Sequence, residues 1–403
     1  MVPNFLIFTI ADRMMDNSIF SRDNFFRYYI YGYLNSRVAI LGRNMDSLKA
    51  TRKQEIRNYI NIDGYPKWMG MLFIWTVIHF ELPISIIIEC LYYFLYVIKG
   101  IKSNKIEKGE RIYIGIREQR LKNILNNAHI QLDSVTVITF SNEENSIFND
   151  FFQKSLCSCV SLKDMTKAFI WSLQMTWFLM RKYGKTDCFF RVYSSFEFFL
   201  TCKFCEKLDS TNEVLYTSTY SRWGYLFGNL PIKTIFLQHG IIGDRLPFLI
   251  KAGVPDRAFF LNDEERQNCC RFLFSNVPEV NYLDGLKFTS NEKLLDNGRK
   301  NVLIVCNLIH FNKEQCIAHG LMDNGTYNIY MKPHPLDSIS KYKELAEDLP
   351  IVLLDKADYP KVDIVISYNS TLAIEYRDVG INVIWHDNLD AGIILKEVKK
   401  MLD

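Results

Sequence analysis

Polar and cationic side chains follow three apolar runs of the sequence, at positions where a strand would end and a loop begin. QHG lies at 238–240 after TIFL, KPHP at 332–335 after YNIYM, and SYNST at 367–371 after DIVI. In open parallel sheets, ligands bind in such loops, at the carboxyl ends of strands. A lysine, a histidine and a helix start at one sheet edge are suited to a phosphate or diphosphate. The second and third segments therefore predict a phosphate site.

The sequence around His334 favours a binding role for this imidazole. Pro333 and Pro335 restrict the backbone on either side, so His334 and Lys332 would point in preset directions. A histidine at a strand end more often makes a structural hydrogen bond, but the lysine and the two prolines favour function here. Lys332, His334 and Pro335 are predicted phosphate-site residues.

The segment 367–371 has two compatible interpretations. Asn369, Ser370 and Thr371 are suited to capping the helix predicted after DIVI. The amides, dipole and hydroxyl groups of such a helix start also attract a phosphate. Ser367, at the end of the strand, is predicted to belong to the same site.

The QHG segment is a candidate for acid–base chemistry. Gly240 could serve only a tight turn, but Gly243, Asp244 and Arg245 follow and extend a polar loop. Loops held by a rigid scaffold are common places for a general base. His239 and Asp244 are therefore candidate bases.

Several other kinds of site find no support in the sequence. The chain has no Gly-x-x-x-x-Gly-Lys-Ser/Thr loop and no Gly-x-Gly-x-x-Gly motif, which argues against P-loop NTPases and dinucleotide oxidoreductases. It has no Asp-x-Asp with acidic neighbours, so protein groups are favoured over a bound metal for holding a nucleotide. The cysteines of 157–159 and 202–205 are interpreted as buried thiols rather than zinc ligands. We expect no metal and no cofactor.

The elements that would position these residues alternate between strand and helix. From residue 111 on, short apolar runs such as RIYIGI, SVTVITF and KTIFL are separated by helical stretches, most clearly after residue 301. This alternation is typical of parallel strands in βαβ units. We predict an α/β fold of two Rossmann-like domains facing each other across a cleft, residues 1–245 and 246–403, with a helical, aromatic-rich N-terminal region.

Composition and charge narrow the range of partners. The 403 residues are 48% hydrophobic and 23% charged, as in a chain that buries a core. A formal net charge of +3 does not favour nucleic-acid binding. We therefore expect no nucleic-acid partner.

The most apolar stretch of the chain is residues 68–100. Glu81 and Pro83 divide it into two segments, each shorter than the ~20 residues that span a bilayer. Trp and Tyr side chains within it, and the lysines of 99–105 after it, suit a helix lying in an anionic membrane interface. A buried helical hairpin or a dimer contact is the alternative interpretation of this stretch. A true membrane-spanning segment is the least favoured of the three.

The order of QHG, KPHP and ISYNSTLAIE resembles the two-domain (GT-B type) transferases that build bacterial surface polysaccharides. The likeness is to sialyltransferases, Kdo transferases and CDP-glycerol teichoic-acid polymerases, and it covers mainly residues 230–390. It implies that His334, Ser370 and Thr371 hold the phosphate of a CMP- or CDP-activated donor. It also implies Lys332 as an added cation and Glu375 as a ribose contact.

The resemblance leaves several candidates for the catalytic base. A histidine in a His-Gly loop is the base of the polyol-phosphate polymerases, which implies His239. Sialyltransferases of this group use a paired acid followed by glycine, and the first half of this sequence has no such motif. The candidates are Asp244, His239 and Glu197.

The function that the resemblance implies is a metal-independent glycosyltransferase. It would move a CMP-activated sugar acid, of the sialic acid or Kdo type, onto a surface-polysaccharide or lipid-linked glycan. Transfer of a polyol phosphate from a CDP donor and epimerisation of a UDP-sugar are the alternatives, and a non-enzymatic membrane scaffold is least favoured. We expect a cytoplasmic enzyme, peripheral on the inner membrane, with a nucleotide-activated sugar and a glycan acceptor as partners.

Overall fold

The computed structural model describes most of the chain from residue 107 onward and part of the region before it. The described residues are 21–41, 86–87, 90–91, 93–98, 107, 109–114, 121–140, 150–183, 189–217, 221–242, 251–286, 288, 294–295, 297–307, 310–323, 326–334, 337, 339–355, 358–368, 370–386 and 389–402. At 33–41, 180–183 and 189–194 only the backbone is described. The chain forms two compact units, Met1–Leu283 and Asp284–Asp403.

The described part of the first unit contains a seven-stranded sheet. Its strands are β1 (Arg111–Ile114), β2 (Val135–Thr139), β3 (Phe152–Ser155), β4 (Glu213–Tyr216), β5 (Lys233–Leu237), β6 (Arg257–Phe260) and β7 (Glu279–Tyr282). Their order is β3-β2-β1-β4-β5-β6-β7, and neighbouring strands are parallel. The strand order reverses between β1 and β4, as in doubly wound sheets.

Helices lie between these strands and before the first of them. They are α1 (Arg22–Leu41), α2 (Leu121–Asn127), α3 (Leu162–Tyr183), α4 (Phe189–Cys205), α5 (Arg222–Phe227) and α6 (Asp263–Asn268), which continues as a π-helical turn over Cys269–Leu273. The strands β1, β2 and β5 coincide with the apolar runs RIYIGI, SVTVITF and KTIFL, which the sequence pattern predicts to be strands.

The second unit repeats the alternation on a smaller scale. Its elements are β8 (Lys300–Val305), α7 (Phe311–Asp323), β9 (Tyr327–Lys332), α8 (Ser340–Asp348), β10 (Ile351–Leu353), β11 (Ile364–Ser367), α9 (Thr371–Asp378), β12 (Asn382–Trp385) and α10 (Ala391–Leu402). The strand order is β10-β9-β8-β11-β12, again with parallel neighbours. The switch point of this sheet lies between β8 and β11.

Both sheets are covered on both faces, which explains their nearly continuous apolar strands. In β8, Val302 and Ile304 belong to one apolar cluster, whereas Leu303 and Val305 belong to another. Successive side chains of a strand point to opposite faces, so both sets are buried only if both faces are packed. The predicted pair of parallel α/β domains is therefore confirmed.

Aromatic side chains pack the N-terminal helix α1 against α4 within the first unit. Tyr29 of α1 lies 5.3 Å from the ring of Phe198 and stacks at 5.9 Å on Phe199, both in α4. A Cβ atom on Gly32 would lie 2.0 Å from the backbone nitrogen of Arg222, so only glycine permits this approach of α1 to α5. The predicted helical, aromatic-rich N-terminal region is confirmed in its described part.

Two features of the fold differ from the expectations. The short edge strand β3 was not predicted, since its FQKS sequence carries little strand signal. The units divide after Leu283 rather than after residue 245, because β6 and β7 extend the first sheet through their pairing with β5.

The apolar stretch 68–100 falls mostly outside the described residues. Positions 86–87, 90–91 and 93–98 are helical, and Tyr93 and Tyr96 pack on the first unit. Within the described ranges, no helix is long and apolar enough to cross a membrane.

The cysteine pairs are consistent with the thiol interpretation. Cys157, Cys202 and Cys205 are buried, and Cys159 is half-buried. Burial raises the pKa of the Cys159 thiol to about 11, and the pKa of the Cys202 and Cys205 thiols also lies above the ordinary value. These thiols are therefore protonated at neutral pH.

Candidate functional site

The carboxyl edge of the second sheet carries most of the predicted phosphate-site residues. Strands β9, β8 and β11 are neighbours, and the loops after β8 and β11 leave the sheet at its switch point. The buried hydroxyl of Ser367, at the end of β11, donates to the carbonyl oxygen of Val305, at the end of β8, at 3.3 Å. This hydroxyl holds the two strand ends together. The predicted contact of Ser367 to a ligand stays a prediction.

Helix α9 begins at this edge with a side-chain cap. The Ser370 hydroxyl accepts a hydrogen bond from the Leu372 amide at 3.2 Å, and Thr371 is the first helical residue. Glu375 lies one turn further on the same side of the helix as Thr371, and both are half-buried. The structural and ligand-binding interpretations of this segment remain compatible, because a capping hydroxyl still has a proton to donate. Asn369 lies outside the described residues.

His334 follows β9 at the same edge and is half-buried. Burial lowers the pKa of its imidazole from the ordinary 6.5, against the opposing charge of Asp337. The Asp337 carboxylate also accepts from Lys341 at 2.7 Å and from the Tyr342 hydroxyl at 2.8 Å. The ring is therefore mainly uncharged at neutral pH and able to take up a proton when an anion binds. Pro335 lies outside the described residues.

Lys332, the last residue of β9, is buried and its ammonium group is engaged within the second unit. The Nζ atom donates to the carbonyl oxygens of Asp355 at 2.6 Å and Asp358 at 2.8 Å. It also lies 4.4 Å from the centre of the Tyr359 ring. This geometry assigns the Lys332 charge a structural role in the loop after β10. The predicted contact of Lys332 to a phosphate stays a prediction.

Three aromatic rings that were not among the predicted site residues meet at this edge. The ring centres of His310 and Tyr368 are 4.0 Å apart, and each lies 5.9 Å from that of His386. The Nε2 atom of His310 is buried and has no hydrogen-bond partner among the described residues. Burial, and secondarily the neighbouring His386, lower the pKa of His310. A neutral imidazole with an unsatisfied nitrogen is suited to a hydrogen bond with a bound ligand.

One of these rings, His386, lies beside a buried carboxylate. The Nε2 atom of His386 is 3.7 Å from Oε1 of Glu314, and neither side chain is exposed. The same carboxylate oxygen accepts from the Asn307 amide at 2.8 Å, and the Lys313 ammonium donates to the His386 carbonyl. The start of α7 is thereby tied to the loop after β8 and to the end of β12.

The sequence contained a signal for both histidines. His310 and His386 each follow a strand that was predicted, within four residues of NVLIVCN and directly after NVIW. The rule that singled out QHG, a histidine just after a predicted strand, applies equally to them. The contact between His310, Tyr368 and His386 depends on the strand order β8-β11-β12, which spacing does not reveal.

The QHG loop at the carboxyl end of β5 is held by a buried carboxylate. The fully buried Gln238 amide donates to Oε2 of Glu265 at 2.6 Å and to the Gly240 carbonyl at 2.9 Å. Oε2 of Glu265 also accepts from the Ile242 amide at 2.8 Å. Gln238 and Glu265 therefore fix the backbone on both sides of the half-buried His239. Glu265 was not predicted as a site residue.

The other two candidate bases, Asp244 and Glu197, do not lie in a described strand-end loop. Asp244 lies outside the described residues. Glu197 is in the middle of α4, where its carboxylate accepts a hydrogen bond from the Tyr96 hydroxyl at 3.2 Å. It is thus part of the aromatic packing of the N-terminal region rather than of a strand-end loop. Its role as a base stays a prediction.

Metal-ligating side chains do not gather in the part of the chain that the structure describes. No group of three or more His, Cys, Asp or Glu side chains is arranged there to hold a metal ion. The groups that could hold a ligand at the second sheet are imidazoles, hydroxyls and helix amides. This set is suited to an anion with neighbouring hydroxyl or carbonyl groups.

Comparisons with known proteins support no family assignment. No family model matches the chain, and no curated protein matches it in sequence. The solved structures similar to it include a glycosyltransferase from Rickettsia africae (10% identity, 74% of this chain and 88% of that one, TM-score 0.38). They also include UDP-GlcNAc 2-epimerase from Neisseria meningitidis bound to UDP-GlcNAc (11% identity, 73% of this chain and 85% of that one, TM-score 0.39). A third is the wall teichoic acid polymerase TagF (11% identity, 78% of this chain and 80% of that one, TM-score 0.36).

Proposed function

We propose that this chain is a glycosyltransferase whose second unit holds the phosphate of a nucleotide-activated sugar. One observation carries the proposal: His334 and the Ser370–Thr371 start of α9 lie at one edge of a parallel sheet, beside its switch point. Ligands of open α/β sheets bind at such an edge, and a helix start stabilises negative charge. The order of the His-Pro and Ser/Thr motifs along the sequence resembles that of polysaccharide transferases, which also supports the proposal.

The proposed reaction breaks the bond between the anomeric carbon of the sugar and the donor phosphate. The electron pair of this bond leaves with the phosphate, where His334 and the amides and hydroxyls at the start of α9 stabilise the developing charge. A base takes the proton of the acceptor hydroxyl as the new glycosidic bond forms. His239 is the base that we propose, because Gln238 and Glu265 hold the backbone of its loop.

The donor that we propose is a CMP-activated sugar acid, and the acceptor a glycan or lipid-linked glycan. The motif resemblance favours this donor class. His310 and Tyr368 are suited to the uncharged part of the donor, since the imidazole is neutral and its buried Nε2 lacks a partner among the described residues. Glu375, one turn after Thr371, is the proposed ribose contact.

Transfer of a polyol phosphate from a CDP donor is the second candidate. The ordered His-Gly loop favours it, because the resemblance assigns the base of polyol-phosphate polymerases to such a histidine. Both reactions would use the same phosphate site. They differ in their products, which gain a glycosidic bond in one case and a phosphodiester in the other.

The test is thermal stabilisation of the full-length protein by CMP, CDP, UDP and GDP. A ligand that binds the folded state stabilises it by mass action, by about 2.7 kcal/mol at 100 times its Kd. We expect CMP to raise the Tm of the wild type and of His319→Ala, an exposed position of α7. His334→Ala and Ser370→Ala should lose most of this shift.

Each other outcome would change the proposal in a defined way. Stabilisation by CDP alone would favour polyol-phosphate transfer, and a preference for UDP would favour a sugar epimerase or another transferase class. Equal shifts in the wild type and in His334→Ala would remove His334 from the site. No shift with any nucleotide would contradict a nucleotide-sugar donor altogether.

A further inference from the structure

A row of large apolar side chains is exposed on the surface of the first unit, as far as the structure describes it. Ile87, Leu91, Phe94, Leu95 and Ile98 lie in the helical residues of 86–98 and are between 50% and 65% exposed. Their spacing places all five on one side of a helix with 3.6 residues per turn. We call this row the outer face of the 86–98 segment.

The opposite side of the same segment is anchored in the first unit. Tyr96 is buried, and its ring packs edge-on against Phe196 at 5.6 Å. Tyr93 stacks on Phe169 at 4.6 Å, and its hydroxyl lies 3.0 Å from that of Thr166 in α3. The segment therefore lies along α3 with its outer face turned away from the protein.

Helix α3 continues the apolar surface beside the segment. Leu162, Ile170 and Trp177 are exposed, Trp177 by 59%. They are spaced by eight and seven residues and lie on the side of α3 that carries Thr166, the residue that meets Tyr93. The exposed side chains of α3 and the outer face of 86–98 are thus neighbours.

Positive charge borders this apolar surface. Lys163 and Lys167 are exposed on α3, next in sequence to Leu162 and Thr166. The nearby Asp164 carboxylate is paired with Lys207 at 3.2 Å, which leaves the cations of α3 in excess. The border therefore attracts anions.

We propose that the outer face of 86–98 and the exposed stripe of α3 dock onto an anionic lipid surface. Apolar side chains would enter the boundary between headgroups and acyl chains, and the lysines would meet the lipid phosphates. A second copy of the chain fits less well, because a two-fold contact would bring the lysines of one copy towards those of the other. This inference goes beyond the proposed function and does not depend on it.

Vesicle co-sedimentation of the full-length protein, without nucleotide, tests this surface. We expect the protein to bind vesicles containing phosphatidylglycerol at least tenfold more strongly than vesicles of phosphatidylcholine alone. Phe94→Asp/Ile98→Asp should reduce the partition coefficient tenfold or more, because the carboxylates enter an apolar and anionic boundary. Lys163→Glu/Lys167→Glu should abolish the preference for phosphatidylglycerol. Val277→Asp is the matched control, since Val277 is 59% exposed elsewhere in the same unit.

Two results would overturn the proposal. One is equal vesicle binding by the wild type and by Phe94→Asp/Ile98→Asp, or no binding by either. The other is a wild-type dimer in sedimentation velocity that Phe94→Asp/Ile98→Asp converts to monomer without any vesicle binding, which would assign the surface to a second copy. The exposed positions chosen should leave the Tm unchanged. Nucleotide-induced stabilisation is measured separately, so failure here leaves the proposed function in place.

Discussion

The Nε2 atom of His386 lies 3.7 Å from Oε1 of Glu314, and both side chains are fully shielded from solvent. Oε1 also accepts from the Asn307 amide at 2.8 Å. One buried carboxylate thus joins the end of β12 to the loop that leads to His310, whose ring contacts Tyr368. We therefore expect the arrangement of rings at this sheet edge to depend on that carboxylate.

Glu314→Ala should strongly destabilise the second unit. The substitution leaves the Asn307 amide without its acceptor and removes the partner of His386. A buried amide left without its acceptor costs about 1 to 3 kcal/mol. Chemical unfolding, combined with hydrogen exchange in β8 and β12, measures the change.

His319→Ala on the same helix is the control for that measurement, because its side chain is exposed. We expect it to unfold at the same denaturant concentration as the wild type. Should Glu314→Ala also unfold at the wild-type concentration, the buried pair would have no part in holding the loop after β8.

Acid should destabilise the second unit below about pH 6.5. Burial lowers the pKa of both His310 and His334 from the ordinary 6.5. As the pH falls through 6.5, the unfolded chain binds protons that the folded chain does not yet accept, so stability decreases. The loss is complete below the lowered pKa values of the folded state. Carboxylates whose pKa is lowered, such as Glu110, contribute to the pH dependence of stability only below about pH 4.5.

Unfolding midpoints at pH 7.5, 6.5 and 5.5 measure this dependence. His310→Asn/His334→Asn should show a flatter profile than the wild type over this range, because the two titrating groups are gone. A profile in the double variant as steep as that of the wild type would show that other groups dominate.

Lys332→Met should affect stability more than ligand binding. The substitution leaves the carbonyls of Asp355 and Asp358 without their charged donor. Hydrogen bonds to charged groups contribute about 1.5 to 3 kcal/mol each, so the loss of both should cost about 3 to 6 kcal/mol. Because the ammonium is directed to these carbonyls, the CMP affinity of the folded protein should change less than threefold.

Titration calorimetry and chemical unfolding of Lys332→Met separate the two roles of this lysine. Lys343→Met, at an exposed position of α8, is the matched control. If Lys332→Met lost CMP binding but kept the wild-type unfolding midpoint, the phosphate contact predicted from the sequence would be correct and the structural role wrong.

Glu265→Ala should loosen the loop that carries His239. The substitution removes the acceptor of the Gln238 side chain and of the Ile242 amide, both of which are buried. We expect faster hydrogen exchange at 238–242 and a turnover reduced about tenfold or more, since small displacements of a catalytic group have large effects.

Glu264→Ala, at the neighbouring exposed position, controls for the loss of a carboxylate in α6. It should leave both the exchange at 238–242 and the turnover unchanged. Slow exchange in Glu265→Ala would contradict a role of Glu265 in positioning His239.

Much of the candidate site could be predicted from the sequence, for a local reason. His334 and Ser370 follow short apolar runs whose alternation with helical stretches predicts strands, and their place at a strand end needs no knowledge of distant residues. His310 and His386 also follow apolar runs, but their contact with Tyr368 depends on the strand order. Glu265 could not have been found in this way, because its partners Gln238 and Ile242 are more than twenty residues away along the chain.

Periodicity alone determined the class of this fold. Buried runs such as NVLIVCN and DIVIS, separated by helical stretches, require parallel strands covered on both faces. Tertiary structure decided the strand order, and with it the meeting of His310, Tyr368 and His386 at one edge. It also decided that β6 and β7 complete the first sheet and that the Lys332 ammonium is held by two carbonyls. These outcomes depend on contacts between residues far apart in the chain, which no local pattern records.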